Sequence, residues 1–420
     1  MLIEFSVKNY LSFKDKVTFS MEKGIGNELH NNFFSFNENI ELLNTAAIYG
    51  ANASGKTNLI KALAFSILFV RNSSMKPLGE KIGNAIPFLF DEESKNQKSD
   101  FEFIFIANKI KYKYFFSVDS SRVYDESLDA YYTQKPTNIF KRTNTNNYIF
   151  NSDKGILEEI SKKNTDNKLF LATATTWNYD KTRDAFLWFC NSINTYSNLL
   201  QLNRISPQLY SDDEELRKFA IKILRNTDIL INNISVDYEE KELFTSFPDS
   251  LNNQINRGGI KVPRYKIELE HEVIDEQNEK HYYSLDLSSE SSGTQVLFAF
   301  IPFLRSAFKE QQILIVDELE KSIHPIIVEK IVELFNNENI NVAKSQLIFT
   351  THAVNLLNLD LLRRDQIWFT EKNSKNGSSD LYCLDSFSVN KKENIQKGYI
   401  NGRYGAIPFV KDVDLWLDKD

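Results

Sequence analysis

Hydrophobic and polar residues alternate through "LIEFSVKNYLSF" and "KVTFSM", and this period of two predicts two strands around a turn within residues 1–20. The run Thr45–Tyr49 reads as a short buried strand. Thr57 to Arg71 places its apolar residues on one face of a helix. Alternation returns in "DFEFIFIANKIKYKYFFSVD", where Asn108 and Lys109 suit a tight turn, so residues 101–118 read as a hairpin. Residues 125–260 are polar and Asn-rich, with helical patterns near 154–200 and 211–233 and breaks at Pro207, Pro248 and "NRGG". Strands resume at 264–271 and 281–287. From 291 the order is helix, buried strand "QILIVDE", helix, buried strand "SQLIFTTH", helix, strand "QIWFTEK". Such β-α alternation builds a sheet covered by helices. Neither an internal repeat nor a sustained heptad is present. The expectation is an α/β core made of residues 1–124 and 261–420, split by a mainly helical insertion at 125–260.

Composition narrows the class. With 420 residues, 42% hydrophobic and 25% charged, the chain can bury a large core. Its net charge of -7 gives no global electrostatic case for nucleic acid. Cys190 and Cys383 stand alone and form no zinc-type spacing or disulfide framework. The N-terminus lacks the basic-then-apolar pattern of a signal peptide, and no run reaches the roughly 20 apolar residues of a membrane span. A cytoplasmic protein without a membrane partner is expected.

Between the buried strand at 45–49 and the following helix lies "GANASGKT", which fits G-x-x-x-x-G-K-[ST] with Gly50, Gly55, Lys56 and Thr57. Glycines let a loop wrap so that successive N–H groups face a phosphate, and the next helix adds its positive end. Asn52, Ala53, Ser54 and Asn58 complete the loop and the first helical turn. In this reading Lys56 reaches the β- and γ-oxygens and Thr57 ligates Mg²⁺. The plainer alternative is a glycine turn beside a surface lysine.

"QILIVDELEKSIHP" ends four apolar residues in adjacent acids, Asp317 and Glu318. Two carboxylates at a buried strand end are costly without a cation or hydrogen bonds. Asp317 suits Mg²⁺, held through water, and Glu318 suits the polarisation of an attacking water. His352, just past "SQLIFTT", could contact a γ-phosphate. Ser291 and Gly293 in "DLSSESSGTQVLFAF" begin an amphipathic helix and offer small residues and free N–H groups to an anion. Each has a bland counterpart: acids ending a strand in solvent, a surface histidine, a Ser-rich cap.

These four elements, in this order, resemble the ATP-binding-cassette ATPases, in the soluble branch that holds RecF, SMC and OLD-type proteins. "ESSGT" stands where that pattern has LSGGQ, and His324 stands where it usually has Asp, as in the OLD-like branch. No Q-loop is placed. "MLIEFSVKNYLSFKD", "YGANASGKTNLIKAL", "SSESSGTQ", "DELEKSIHP" and "GYINGRYGAIPFV" are similar to the AbiLi/RloA-type ATPases of the AAA-15 group. The resemblance implies an ABC-type P-loop head, a mixed sheet with covering helices plus an antiparallel β lobe. It also implies an ATP-sandwich homodimer or higher oligomer, in which Ser291 of one subunit meets ATP held by Lys56 of another. Such ATPases are similar to components of antiphage operons, where a separately encoded nuclease-like effector is common.

A slow Mg-dependent ATPase switch controlling an effector is therefore expected, and a RecF/SMC-like DNA repair or tethering ATPase is the alternative. A fused nuclease is not expected: about 100 residues follow Asp317, all needed by the family core, and the insertion holds no HNH-like cluster. The basic stretch 256–266, with Arg257, Lys261, Arg264 and Lys266, suits either a nucleic-acid backbone or a solvated loop. "GYINGRYGAIPFV" suits packing on the chain's own core or docking of a partner.

Overall fold

A computed structural model describes residues 1–227, 229–243, 260–389 and 393–407. The chain divides into two compact units, the first made of 1–197, 307–320 and 328 onward, the second of 198–306 and 321–327. In chain order the first stretch holds β1 (Leu2–Lys8), β2 (Val17–Ser20), β3 (Phe33–Asn37), β4 (Ile40–Leu43), β5 (Thr45–Tyr49) and α1 (Lys56–Asn72). Then come β6 (Ser99–Ala107), β7 (Ile110–Val118), β8 (Val123–Tyr131), β9 (Thr137–Thr143), β10 (Asn147–Ile149), α2 (Lys154–Ser161), α3 (Phe170–Thr176), α4 (Asp180–Asn191) and β11 (Ile193–Tyr196). The middle holds α5 (Ser206–Ser211), α6 (Glu214–Arg225), β12 (Ile231–Leu243), β13 (Ile260–Ile274), β14 (Lys280–Asp286) and α7 (Ser292–Glu310). Last are β15 (Ile313–Val316), α8 (Pro325–Asn336), β16 (Gln346–Thr350), β17 (Ile367–Lys372), β18 (Ser379–Cys383) and α9 (Ile395–Ile400).

Two large sheets and the two-stranded β3–β4 sheet build the first unit. One large sheet is antiparallel, in the order β10-β9-β8-β7-β6-β1-β2. Its inner face is aromatic because the alternation in β6 and β7 is in phase. Phe101, Phe103 and Phe105 lie opposite Phe116, Tyr114 and Tyr112, all buried. The Phe101–Phe116 and Phe105–Tyr112 rings stack at 5.1 and 5.6 Å, the kind of cross-strand pair that stabilises a sheet. Asn108 and Lys109 both take positive φ, as a two-residue hairpin turn requires.

The other large sheet runs β11-β15-β16-β5-β17-β18, parallel except for its last strand. β5, β15 and β16 are wholly buried and, apart from Thr45, Gln346 and Thr350, apolar, as suits strands covered on both faces. α1, α3 and α4 share one core with the inner face of the aromatic sheet and with Ile48, Ile315 and Ile348 of the parallel sheet. In the second unit, α5 and α6 pack on β12 of a three-stranded antiparallel sheet, with Ile231, Ile234, Ile267 and Leu269 buried. Among the described residues no helix is long and apolar enough to cross a membrane.

The structure departs from the sequence-based expectation in four places. The expected break at 124/125 falls inside β8, and residues 125–149 complete the aromatic sheet instead of opening a helical insertion. The reason is chemical: two inward positions carry Glu126 and Arg142, fully buried, which breaks the apolar alternation. Glu126 accepts from Tyr114 Oη (2.9 Å) and from the N–H groups of Phe170 and Leu171 at the start of α3. Burial pushes its carboxyl above the usual range, and Arg142 opposes the shift. Helicity expected through 200 stops at Asn191, where β11 joins the parallel sheet. Helicity expected through 233 stops at Arg225, before β12. The helix expected after "SQLIFTTH" is a single tight turn at Val354–Leu356. There the Asn358 side chain accepts from the Asp360 N–H, a local bond that competes with helix formation. The breaks expected at Pro248 and "NRGG" lie outside the described residues.

Candidate functional site

The strand order places β16 between β5 and β15, with Thr350 opposite Ile48 and Phe349 opposite Val316. The carboxyl ends of three parallel strands therefore reach the same sheet edge. β5 delivers Gly50, β15 delivers Asp317 and Glu318, and β16 delivers Thr351 and His352. The crevice beyond such strand ends is where α/β sheets bind ligands. A cleft of about 410 Å³ opens there, lined by residues 52–58, Glu318 and His352 and also by the apolar Leu11, Ile86, Leu89 and Phe90.

The loop from 50 to 55 is held in shape by glycine. A Cβ at Gly50 would lie 2.5 Å from the Thr370 carbonyl, and one at Gly55, whose φ is +124°, would lie 2.6 Å from Ser379 Oγ. Asn52 and Ala53 are exposed at the tip, while Ser54 is buried and its hydroxyl bonds Thr370 Oγ1 at 2.6 Å. Asn58 donates to Ser12 Oγ at 2.8 Å, tying α1 to the β1–β2 turn. Lys56 folds back over the loop and its Nζ donates to the carbonyls of Gly50 (2.7 Å) and Ala51 (3.1 Å). Burial pushes its pKa down, against the pull of Asp317, Glu318 and Glu320.

The acids are braced by a residue the sequence did not single out. Thr350, fully buried at the end of β16, donates to Asp317 Oδ1 at 2.6 Å and accepts from the Glu318 N–H at 2.8 Å. Glu318 lines the cleft with φ of 51°, a left-handed conformation that costs a non-glycine residue about 1–3 kcal/mol. Strain of this kind persists where surrounding bonds over-determine it, as the Thr350 bond does here. Glu320 was missed as well: its Oε1 accepts the His352 N–H at 2.6 Å, which links the acid strand to the histidine loop. The third acid in "DELE" and the Thr-Thr-His sequence were the available signals. Burial, followed by Lys56, holds the His352 pKa below its ordinary 6.5. At neutral pH it is a neutral imidazole.

Thr57 (exposed at the cleft) and the carboxylates of Asp317 and Glu318 supply oxygen donors and no thiolate. That chemistry suits a hard cation such as Mg²⁺. Asp317 itself is 8% exposed and does not line the cleft, and one of its oxygens is engaged by Thr350.

Ser291 and Gly293 belong to the second unit. The Ser291 hydroxyl caps α7, accepting from the Thr294 N–H at 3.1 Å, and a Cβ on Gly293 would lie 2.8 Å from the Ser322 carbonyl. His324 caps α8, where its Nδ1 accepts from the Ile326 N–H. Of the basic stretch, Arg257 and the Lys261 side chain lie outside the described residues, and Lys266 pairs with Glu268. Through Ile407, "GYINGRYGAI" packs on the first unit's own core: Tyr399 and Tyr404 stack on Phe369 of β17 at 5.5 and 6.0 Å. Residues 408–410 lie outside the described residues.

Solved structures that resemble this one include the SMC head bound to the C-winged helix domain of ScpA, with 14% identity, 91% of this chain and 97% of that chain covered, and a TM-score of 0.46. The SMC head domain from Thermotoga maritima has 12% identity, coverages of 91% and 98%, and a TM-score of 0.41. CbiO1 from Clostridium perfringens, part of an ABC transporter complex, has 13% identity, coverages of 97% and 98%, and a TM-score of 0.29. No curated protein matches the chain in sequence. The fold is a mixed α/β architecture in which β5, which leads into the loop, the acid strand β15 and the intervening β16 are neighbours in one mainly parallel sheet. The family described as "AAA domain, putative AbiEii toxin, Type IV TA system" matches residues 46–358, from the strand before the loop to the turn after His352, and the chain belongs to that family.

Proposed function

We propose that this protein is a slow Mg-dependent ATP hydrolase that works as a switch, closing into a dimer around ATP to control a separately encoded effector. One observation carries the reading: three adjacent parallel strands bring Lys56, Glu318 and His352 to one cleft, with Asp317 near enough to pull on the Lys56 pKa. Loop N–H groups and Lys56 bind the phosphates, and leaving its two carbonyl partners frees the ammonium to do so. Thr57 and Asp317 would hold Mg²⁺, which when bound neutralises charge on the phosphate oxygens. Glu318 orients a water and takes its proton. His352, neutral, contacts the terminal phosphate and passes its presence to Glu320 through the backbone bond.

Ser291 and Gly293 face the nucleotide of a second copy in this proposal, so occupancy controls dimer geometry. The resemblance to AbiLi/RloA-type ATPases, together with the toxin–antitoxin description of the family, supports a cytoplasmic antiphage role with a partner protein. The test is Glu318→Gln. It should retain ATP and accumulate a dimer on size-exclusion chromatography with light scattering. A variant that hydrolyses ATP like its parent removes Glu318 from the role of base.

A further inference from the structure

Part of the cleft's lining beyond the phosphate loop is apolar and open. Phe90 is 72% exposed, Leu89 59% and Ile86 40%. A single exposed apolar residue is ordinary, but three within five residues, lining a cleft, mark a binding surface. The segment is not a loose loop. Phe88 is buried, and its N–H donates to Asn9 Oδ1; the Asn9 amide donates in turn to the carbonyls of Ser94, Gln97 and Lys98. The Ile86 carbonyl accepts from the Leu11 N–H at 2.9 Å. Leu11 lines the same cleft with φ of 50°, a conformation leucine seldom adopts.

The Phe90 ring is oriented as well as exposed. Phe88 meets it at 78° with centroids 5.6 Å apart. Gly377 packs against its Cδ2–Cε2 edge, where a Cβ would come within 2.7 Å of Cδ2. Lys372 Nζ lies 5.8 Å from its centroid. A flat aromatic surface, held by Phe88 and Gly377, approached over its ring by the Lys372 ammonium and still 72% exposed beside a phosphate-type loop, suits a planar heterocycle linked to a phosphate chain.

We infer that Phe90 is the stacking platform for the base of a bound nucleoside triphosphate, with Leu11 and Ile86 as its apolar surround. This rests on the nucleotide reading of the P-loop and adds the surface that makes the ligand a nucleotide and not a bare polyphosphate. Aromatic stacking of one base corresponds to roughly 5- to 150-fold in affinity on alanine substitution. The test is calorimetric titration of the full chain with ATP and with inorganic tripolyphosphate, each with Mg²⁺. Phe90→Ala should weaken ATP by that factor and leave tripolyphosphate unchanged, and Phe90→Trp should restore ATP. Equal ATP affinity in Phe90→Ala and wild type, or an equal loss for both ligands, overturns the platform. A wild-type protein that binds tripolyphosphate as tightly as ATP also overturns it, while leaving the P-loop reading intact. Wild-type protein that binds neither ligand contradicts the nucleotide reading itself.

Discussion

Thr350→Val removes one hydroxyl and keeps the side-chain shape. That hydroxyl donates to Asp317 Oδ1 and accepts the Glu318 N–H, at 2.6 and 2.8 Å, in a site where Thr350 is 0% and Asp317 8% exposed. Water cannot replace it. A hydrogen bond to a charged group contributes about 1.5–3 kcal/mol and one between neutral groups about 0.5–1.5, and a buried donor left bare costs more. The methyl gained offsets about 0.8 kcal/mol. The balance is a destabilisation of about 2–3 kcal/mol, together with loss of the bond that holds Glu318 in its left-handed conformation. Urea unfolding followed by tryptophan fluorescence reads the first effect, since Trp177, Trp188 and Trp368 all lie in the first unit. Steady-state turnover of Mg-ATP reads the second, with at least a ten-fold fall expected, and Thr350→Ser should recover most of both. A valine variant within about 0.5 kcal/mol of wild type, a typical surface-substitution effect, and with normal turnover would refute the bracing role.

His352 titrates below its unfolded value of 6.5. Its contribution is therefore fully present above pH 6.5 and lost as pH falls through the lower folded value. Acidification from pH 7.5 to 5.5 should cost wild type more stability than His352→Asn, read by denaturant midpoints. Arg142→Leu leaves Glu126 buried without its partner, and the loss in the same assay should be about 3–5 kcal/mol. Part of it should return on acidification, because the folded Glu126 carboxyl protonates above its unfolded value of 4.5. Gly293→Ala gains helix propensity but drives a Cβ to 2.8 Å from the Ser322 carbonyl. Overpacking outweighs propensity, and thermal unfolding should show a loss of about 1–3 kcal/mol. Mixing Lys56→Ala with Ser291→Arg protein should restore part of the ATPase activity in mixed dimers, because one of the two composite sites is then whole. No recovery where heterodimers form would place the site within one chain.

The parallel sheet was legible in the sequence because buried strands are continuous apolar runs and the glycine loop has a fixed spacing. "TAAIY", "ILIV" and "QLIFT" show this directly. The antiparallel lobe was read only as far as its alternation stayed apolar. Where Glu126 and Arg142 occupy inward positions, an ion pair does the work of a hydrophobic pair and the period disappears. Likewise Thr350 and Glu320 gave no periodic signal, since their importance comes from neighbours that are far away in sequence: Thr350 reaches Asp317 only because β16 lies beside β15. The apolar lining at Phe90 has no sequence signal for a similar reason: in "IPFLF" nothing but the structure separates buried Phe88 from exposed Phe90.

The most direct test of the account is an equilibrium ATP titration with Mg²⁺, comparing wild type with Lys56→Ala. Saturable, magnesium-dependent binding by wild type that is absent in Lys56→Ala is the predicted result. Wild-type protein that binds no ATP, or a Lys56→Ala protein that binds it equally well, would contradict the claim that the loop, the acid pair and His352 form one nucleotide site.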